Sequence, residues 1–162
     1  MPVTDDGQPD TSGVATPRKI NPPHYFGLAL IAMGLLRWFV AAPPLLGTLA
    51  WIGVVPIVAG MFVAARAAGQ FEKVGTNIVP LTRSTALVTD GMFARSRNPM
   101  YASMVAIVTG VALVLDRWAP WIVVPVFVGI LRLHFIRHEE RLMEATFGQT
   151  YLDYKARVRR WL

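Results

Sequence analysis

Gly91–Trp118 reads GMFARSRNPMYASMVAIVTGVALVLDRW. Its first part, Gly91 to Tyr101, is polar, basic and turn-prone, and its second, Met100 to Leu115, is apolar and uncharged. Asp116-Arg117 then marks a turn. Asn98-Pro99 fixes the entry: the residue before a proline is biased away from helix, and Pro99 suits a first helical turn. The apolar run falls slightly short of the roughly 20 residues a helix needs to cross about 30 Å of hydrocarbon. A second polar cluster, His138-Glu139-Glu140-Arg141, follows the last long apolar run. If the runs cross a membrane, both clusters lie at the same water–lipid boundary and can form one cytoplasm-facing site.

Working outward, Trp118–Ile136 is a second apolar run, with Trp118 and Trp121 placed like an aromatic belt, Pro120 at its start and Pro125 as a possible kink. Upstream, Tyr25–Ala42 and Leu45–Ala65 are two more, separated by Pro43-Pro44, which ends one helix and leaves a turn short enough to make an antiparallel hairpin. Gly53, Ala59 and Gly60 offer small surfaces for close approach of a neighbouring helix. Arg37, near the end of the first run, is expected to snorkel to the interface. The predicted fold is therefore all-α: an integral membrane bundle of four transmembrane helices (about 25–42, 45–65, 100–115 and 118–136) plus a C-terminal cytoplasmic amphipathic helix. Residues 1–21 read as a disordered polar tail. Residues 66–98 read as a cytoplasmic loop with weak strand or turn character at Ala86-Leu87-Val88, and 137–162 as a cytoplasmic tail. In that tail a helical pattern breaks at Phe147-Gly148, after which Tyr151, Tyr154, Val158 and Trp161 share one helical face.

Composition agrees. Hydrophobic residues make up 54% of the 162-residue chain and charged residues 16%, against about 25% charged in soluble domains. There is no cysteine, so disulfides, thiolate metal sites and a cysteine nucleophile are excluded. The +6 charge does not point to nucleic acid, because the basic residues flank apolar runs. Their distribution sets orientation instead: Arg18, Lys19, the arginines and lysine of 66–98 and those of 137–162 fall on one side of a four-span arrangement, and Arg117 falls on the other. The positive-inside rule then puts both termini in the cytoplasm, in the cell inner membrane.

Within the clusters, Glu139 and Glu140 point about 100° apart on a helix, so at most one faces a given pocket well. A boundary carboxylate is a fitting partner for an ammonium group. His134 and His138 share a helix face, but their order matches no zinc motif and no third ligand cluster is visible. Arg132 lies deeper in its run and needs a partner or an aqueous cavity. Gly91 permits positive φ or close backbone approach. Arg97 can hold a carboxylate or phosphate through its planar fork, and Tyr101 carries a hydroxyl near the boundary. No phosphate-cradling glycine loop, dinucleotide fingerprint or serine elbow is present.

The ordered set Arg97-Asn98-Pro99-Met100-Tyr101, Glu139-Glu140 and Phe147-Gly148 followed by Tyr151 and Tyr154 resembles the isoprenylcysteine carboxyl methyltransferase and phospholipid methyltransferase family, whose members carry Arg-His-Pro-x-Tyr, a paired Glu and Phe-Gly-x-x-Tyr-x-x-Tyr. The resemblance covers roughly Leu87 to Leu162. Asn98 stands where the carboxyl methyltransferases usually have His, and Asn-Pro-Met-Tyr looks like the phosphatidylethanolamine side of the family. Ala102-Ser103 replaces a Gly often found after the Tyr. The resemblance implies S-adenosylmethionine as methyl donor, with S-adenosylhomocysteine as product, and a cofactor site built from Gly91, Phe93, Arg97, Asn98, Pro99, Tyr101, His138, Glu139, Glu140, Tyr151 and Tyr154. In it, Glu139 or Glu140 meets the donor's amino group, Arg97 or backbone N–H groups near Gly91 meet its carboxylate, and Phe93, Tyr151 or Tyr154 walls its adenine. The acceptor is then an amphiphilic lipid or prenylated molecule arriving from the bilayer lipids. His138 or a glutamate becomes the base if that acceptor is an amine, and Arg132 is read as orienting its head group. The activity implied is isoprenylcysteine carboxyl methyltransferase-like, with phospholipid N-methylation or a non-catalytic binding subunit as alternatives. A nicotinamide-dependent membrane reductase is favoured only by distant architectural similarity.

Overall fold

The computed structural model describes residues 21–74 and 87–161. These are helical, with no strand among the described residues. Helix α1 spans Pro22–Phe39, α2 Val54–Val74, α3 Pro99–Leu115, α4 Val123–Ile130, α5 Arg137–Phe147 and α6 Gln149–Arg157. A 3-10 stretch, Gly47–Gly53, runs directly into α2, and another, Ala119–Ile122, runs into α4. In both helices a proline, Pro56 or Pro125, is the third α-helical residue. Each lacks the N–H that would close on the carbonyl four residues back, so a tighter winding precedes it. Pro125, expected as a kink, thus marks with Pro56 where 3-10 gives way to α.

Two continuous helices, Gly47–Gln70 and Ala119–Phe147, are long and apolar enough to cross a membrane. Only 17% of the apolar stretch of the first and 33% of the second is buried inside the chain, where a soluble core helix would be largely enclosed. Leu28, Ile31, Trp38, Trp51, Phe62 and Val126 face outward in the same way, a continuous apolar skin suited to lipid. Of the two other expected spans, α1 has 18 residues and α3 has 17.

Three boundaries differ from the sequence reading. Helix α2 continues to Val74, so the loop expected from Arg66 begins with two more turns of helix. Arg66-Ala67-Ala68 are strong helix formers, and Ala67 is fully buried. Next, the fourth run and the start of the tail are one helix, in which the π-helical segment Leu131–Ile136 joins α4 to α5. Last, α6 ends at Arg157, and Val158 is extended (φ −114°, ψ 131°), so Val158 and Trp161 do not continue the helical face of Tyr151 and Tyr154. The tail 1–21, apart from Asn21, and the 75–86 part of the expected loop lie outside the described residues. Leu87 and Val88 are in irregular chain.

Helices α2 and α3 pack along one another through glycine. A Cβ on Gly110 would sit 2.6 Å from Ile57 Cγ1, and one on Gly60 would sit 2.7 Å from the Ser103 carbonyl oxygen. Gly53 and Gly60 therefore provide the close approach expected of them, whereas Ala59 is exposed. On the other side, α1 packs against α3 and α4. Met33, Val108, Phe127, Leu131, Phe135 and Ile136 form the buried centre, and Tyr25 meets Phe135 edge-on with ring centroids 5.5 Å apart.

At one end of the bundle, Arg37 Nε donates to the Leu115 carbonyl (3.1 Å), which satisfies an end-of-helix acceptor. Asp116 beside it is left-handed (φ 52°), and its carboxylate accepts the backbone N–H groups of Leu45 (2.9 Å), Leu46 (2.7 Å) and Gly47 (3.1 Å). This staple closes the apolar end and leaves the opposite end for the polar clusters.

Candidate active site

The site is built where the start of α3, the loop before it, α5 and the end of the chain converge. Gly91 sets the loop. Its φ of +56° is left-handed, and a Cβ there would collide with the side-chain amide of Gln70. Gln70, on the helical extension of α2, donates Nε2 to the Asp90 carbonyl (2.9 Å) and accepts the Met92 N–H at Oε1 (3.0 Å). The loop is thereby fixed to α2 and folds into a 3-10 turn, Gly91–Ala94, that buries Phe93. From below, Tyr154 donates its hydroxyl to the Phe93 carbonyl at 2.7 Å.

Asn98 precedes Pro99 and keeps extended φ (−134°), as the proline ring requires. Its side chain is buried and directed at the end of the chain: Nδ2 donates to the Arg160 carbonyl (3.1 Å), and its N–H donates to Ser96 Oγ (3.2 Å). Pro99 is buried at the first helical position. Two residues later, Tyr101 donates its hydroxyl to Glu139 Oε1 at 2.7 Å.

Glu140 is buried and holds two guanidinium groups. Arg160 clamps it with Nε on Oε1 (2.9 Å) and Nη2 on Oε2 (2.7 Å). Arg97 Nη2 reaches Oε1 at 3.2 Å. The Arg97 side chain is only 8% exposed, yet its Nε and Nη1 are buried without an acceptor among the described residues. Buried donors of this kind are costly, and no described residue supplies an acceptor for them. Tyr151 and Tyr154 are buried beside each other, ring centroids 6.0 Å apart. Burial, then the Glu140 charge, pushes the Tyr151 phenol up to about 12, and burial pushes Tyr154 up to about 12. Both remain protonated donors.

The π-helical segment Leu131–Ile136 leads directly into this convergence. A π turn carries one more residue than an α turn, which offsets the register of α5 against α4. Glu140 is then buried and Glu139 half-buried, facing Tyr101. Among the expected site residues, Gly91, Phe93, Arg97, Asn98, Pro99, Tyr101, Glu139, Glu140, Tyr151 and Tyr154 are brought together by these contacts. Arg132 and His138 are not: both are exposed and make no hydrogen bond or ion pair among the described residues. Arg160, Ser96 and Gln70 belong to the site and escaped the sequence reading. Arg160 sits in a run of tail arginines that reads as surface charge, and Gln70 lies where a loop was expected.

Residues 48–150 match the model of a family described as phospholipid methyltransferase. That range contains Gly91, Arg97, Tyr101 and the glutamate pair, and stops before Tyr151, Tyr154 and Arg160. An uncharacterized protein of Haemophilus influenzae is 36% identical over 63 residues, which is 39% of this chain and the whole of that protein. No solved structure matches the chain.

Proposed function

The chain belongs to the phospholipid methyltransferase family, and on that premise we propose that it is an integral membrane enzyme moving a methyl group from S-adenosylmethionine to a lipid-like acceptor. The observation that carries this reading is the buried Arg97 guanidinium with two donors unused, set beside the glutamate pair and a buried tyrosine pair. A methionine-derived donor offers a carboxylate, an ammonium and an adenine. Arg97 suits the carboxylate. Glu139, with one oxygen engaged by Tyr101, suits the ammonium. Phe93, Tyr151 and Tyr154 supply apolar and aromatic surface for the adenine. When bound, S-adenosylmethionine supplies an electrophilic methyl on a sulfonium. The chain's part is to bind, orient and exclude water.

Two acceptors fit this class: the amine of an aminophospholipid, and the carboxylate of a prenylated or similar apolar acid. The family description and Asn98 in the place of His favour the amine. A carboxylate needs no base at neutral pH, whereas an amine must lose a proton. Of the groups considered for that role, His138 is exposed outside the cluster and Glu140 is held by two arginines, which leaves Glu139. Arg132, exposed and outside the cluster, is the cation we assign to the acceptor's head group. In the proposed topology α1, Gly47–Gln70, α3 and the apolar part of Ala119–Phe147 are the four spans, with both termini and the site at the cytoplasmic face.

The test is methyl transfer from labelled S-adenosylmethionine to total membrane lipid by the protein in nanodiscs. Label in the organic phase is expected, and its stability to mild base separates N-methyl from ester product. No transfer together with no S-adenosylhomocysteine binding by folded protein would leave the chain a non-catalytic membrane subunit.

A further inference from the structure

The two glutamates and two arginines at the site are not equivalent, and their contacts divide the work between them. Glu140 has both oxygens engaged: Oε1 by Arg160 Nε and Arg97 Nη2, and Oε2 by Arg160 Nη2. A ligand ammonium could reach it only by displacing a guanidinium from a buried ion pair. Glu139 has one oxygen on Tyr101 and its second oxygen in no hydrogen bond among the described residues. On the arginine side, Arg160 is turned onto Glu140 with the side-on fork that matches a carboxylate, while Arg97 gives Glu140 one nitrogen and retains two unused donors. Among the described residues, two guanidiniums face one carboxylate, and Arg97 keeps two buried donors without an acceptor.

The end of the chain maintains this arrangement. The Arg159 carbonyl accepts the Arg97 N–H at 2.9 Å. The Arg160 carbonyl accepts from Asn98 Nδ2 and from Ser96 Oγ (3.4 Å), and Trp161 packs against the core. The backbone of this strap thus fixes the Arg97 loop while the Arg160 side chain fixes Glu140. We infer that Arg160 is a positioning residue: through Glu140 it aims Arg97 at the ligand carboxylate, and Glu139 alone of the pair takes the ligand ammonium. This rests on the methyltransferase reading proposed above.

The test uses the full chain in nanodiscs, with S-adenosylhomocysteine affinity, KM for S-adenosylmethionine, kcat and a thermal melt for each variant. Arg160→Gln is expected to weaken cofactor affinity and raise KM roughly ten- to a hundredfold with little change in kcat. Arg160→Lys is expected to restore part of the loss, because it keeps the charge but not the fork, and it serves where Arg160→Gln does not fold. Glu140→Gln should add little in the Arg160→Gln background, since the two act as one unit, whereas Glu139→Gln should add its full effect. Wild-type affinity and KM in folded Arg160→Gln, or in folded Arg160→Lys where the former is lost, would overturn the positioning role while leaving the enzyme reading intact. A Glu139→Gln effect that vanishes in the Arg160→Gln background would overturn the division of the pair. Wild-type protein that binds no S-adenosylhomocysteine would overturn the enzyme reading itself, and this inference with it.

Discussion

Tyr101 and Glu139, 38 residues apart in sequence, meet through a 2.7 Å hydrogen bond from phenol to carboxylate Oε1. This bond joins the first turn of α3 to the first turn of α5, on either side of the site. Tyr101→Phe removes the donor and keeps the ring packed near Phe135 (centroids 6.5 Å apart). A loss of about 1–2 kcal/mol of stability is expected, with a larger fall in methyl transfer than the melt alone explains. Thermal melts and initial rates on the same preparation check it.

Asp116 closes the other end of the bundle. The Leu46 N–H, followed by those of Leu45 and Gly47 and by the charge of Arg117, holds its carboxyl below the ordinary range, against a smaller opposing effect of desolvation. Because the folded pKa lies below the unfolded one, the contribution is present above about pH 4 and is lost as the pH falls through the folded value. Asp116→Asn, which also tolerates left-handed φ, should melt below wild type at neutral pH and converge with it on acidification. A gap between the two that stays constant from about pH 7 to about pH 3 would contradict the assignment.

The α2–α3 crossing depends on bare backbone at Gly53 and Gly110. Gly110→Ala would place a Cβ 2.6 Å from Ile57 Cγ1 and 3.0 Å from Ile57 N, a contact relieved only by moving a helix. Destabilisation of about 1–3 kcal/mol is expected. Gly129→Ala meets nothing within 4 Å and should be tolerated, so paired melts of the two variants isolate the crossing.

The proposed four-span topology predicts a cytoplasmic location for a reporter fused after Leu162. A fluorescent protein fused there should fluoresce and alkaline phosphatase fused there should be inactive. The opposite pattern would contradict the proposed orientation.

The turn chemistry and spacing of Gly91, Asn98-Pro99-Met100-Tyr101 and Glu139-Glu140 were legible because each depends on its immediate neighbours: a left-handed glycine, a pre-proline turn, a pair one register apart on a helix. The Gly148 break was legible for the same reason, and its φ is +53°. Gln70 and Arg160 were not, because their meaning lies in partners 20 and 64 residues away. The π-helical segment was also hidden. Leu131–Ile136 (LRLHFI) contains no proline or glycine to mark an irregular turn, so nothing local distinguishes it from an ordinary α-helix. Arg132 and His138, expected at the site, are exposed; Arg132 lies within the π-helical segment and His138 just after it.

The measurement that bears most directly on the account is S-adenosylhomocysteine binding to wild type and Arg97→Gln, with a melt of each in the absence of ligand. Arg97 carries buried donors without an acceptor among the described residues, while Glu140 retains Arg160 without it. The ligand-free variant should therefore melt close to wild type, and its affinity should fall roughly ten- to a hundredfold. Equal affinity in the two proteins would contradict the account, because the donors assigned to the ligand carboxylate would then be serving nothing.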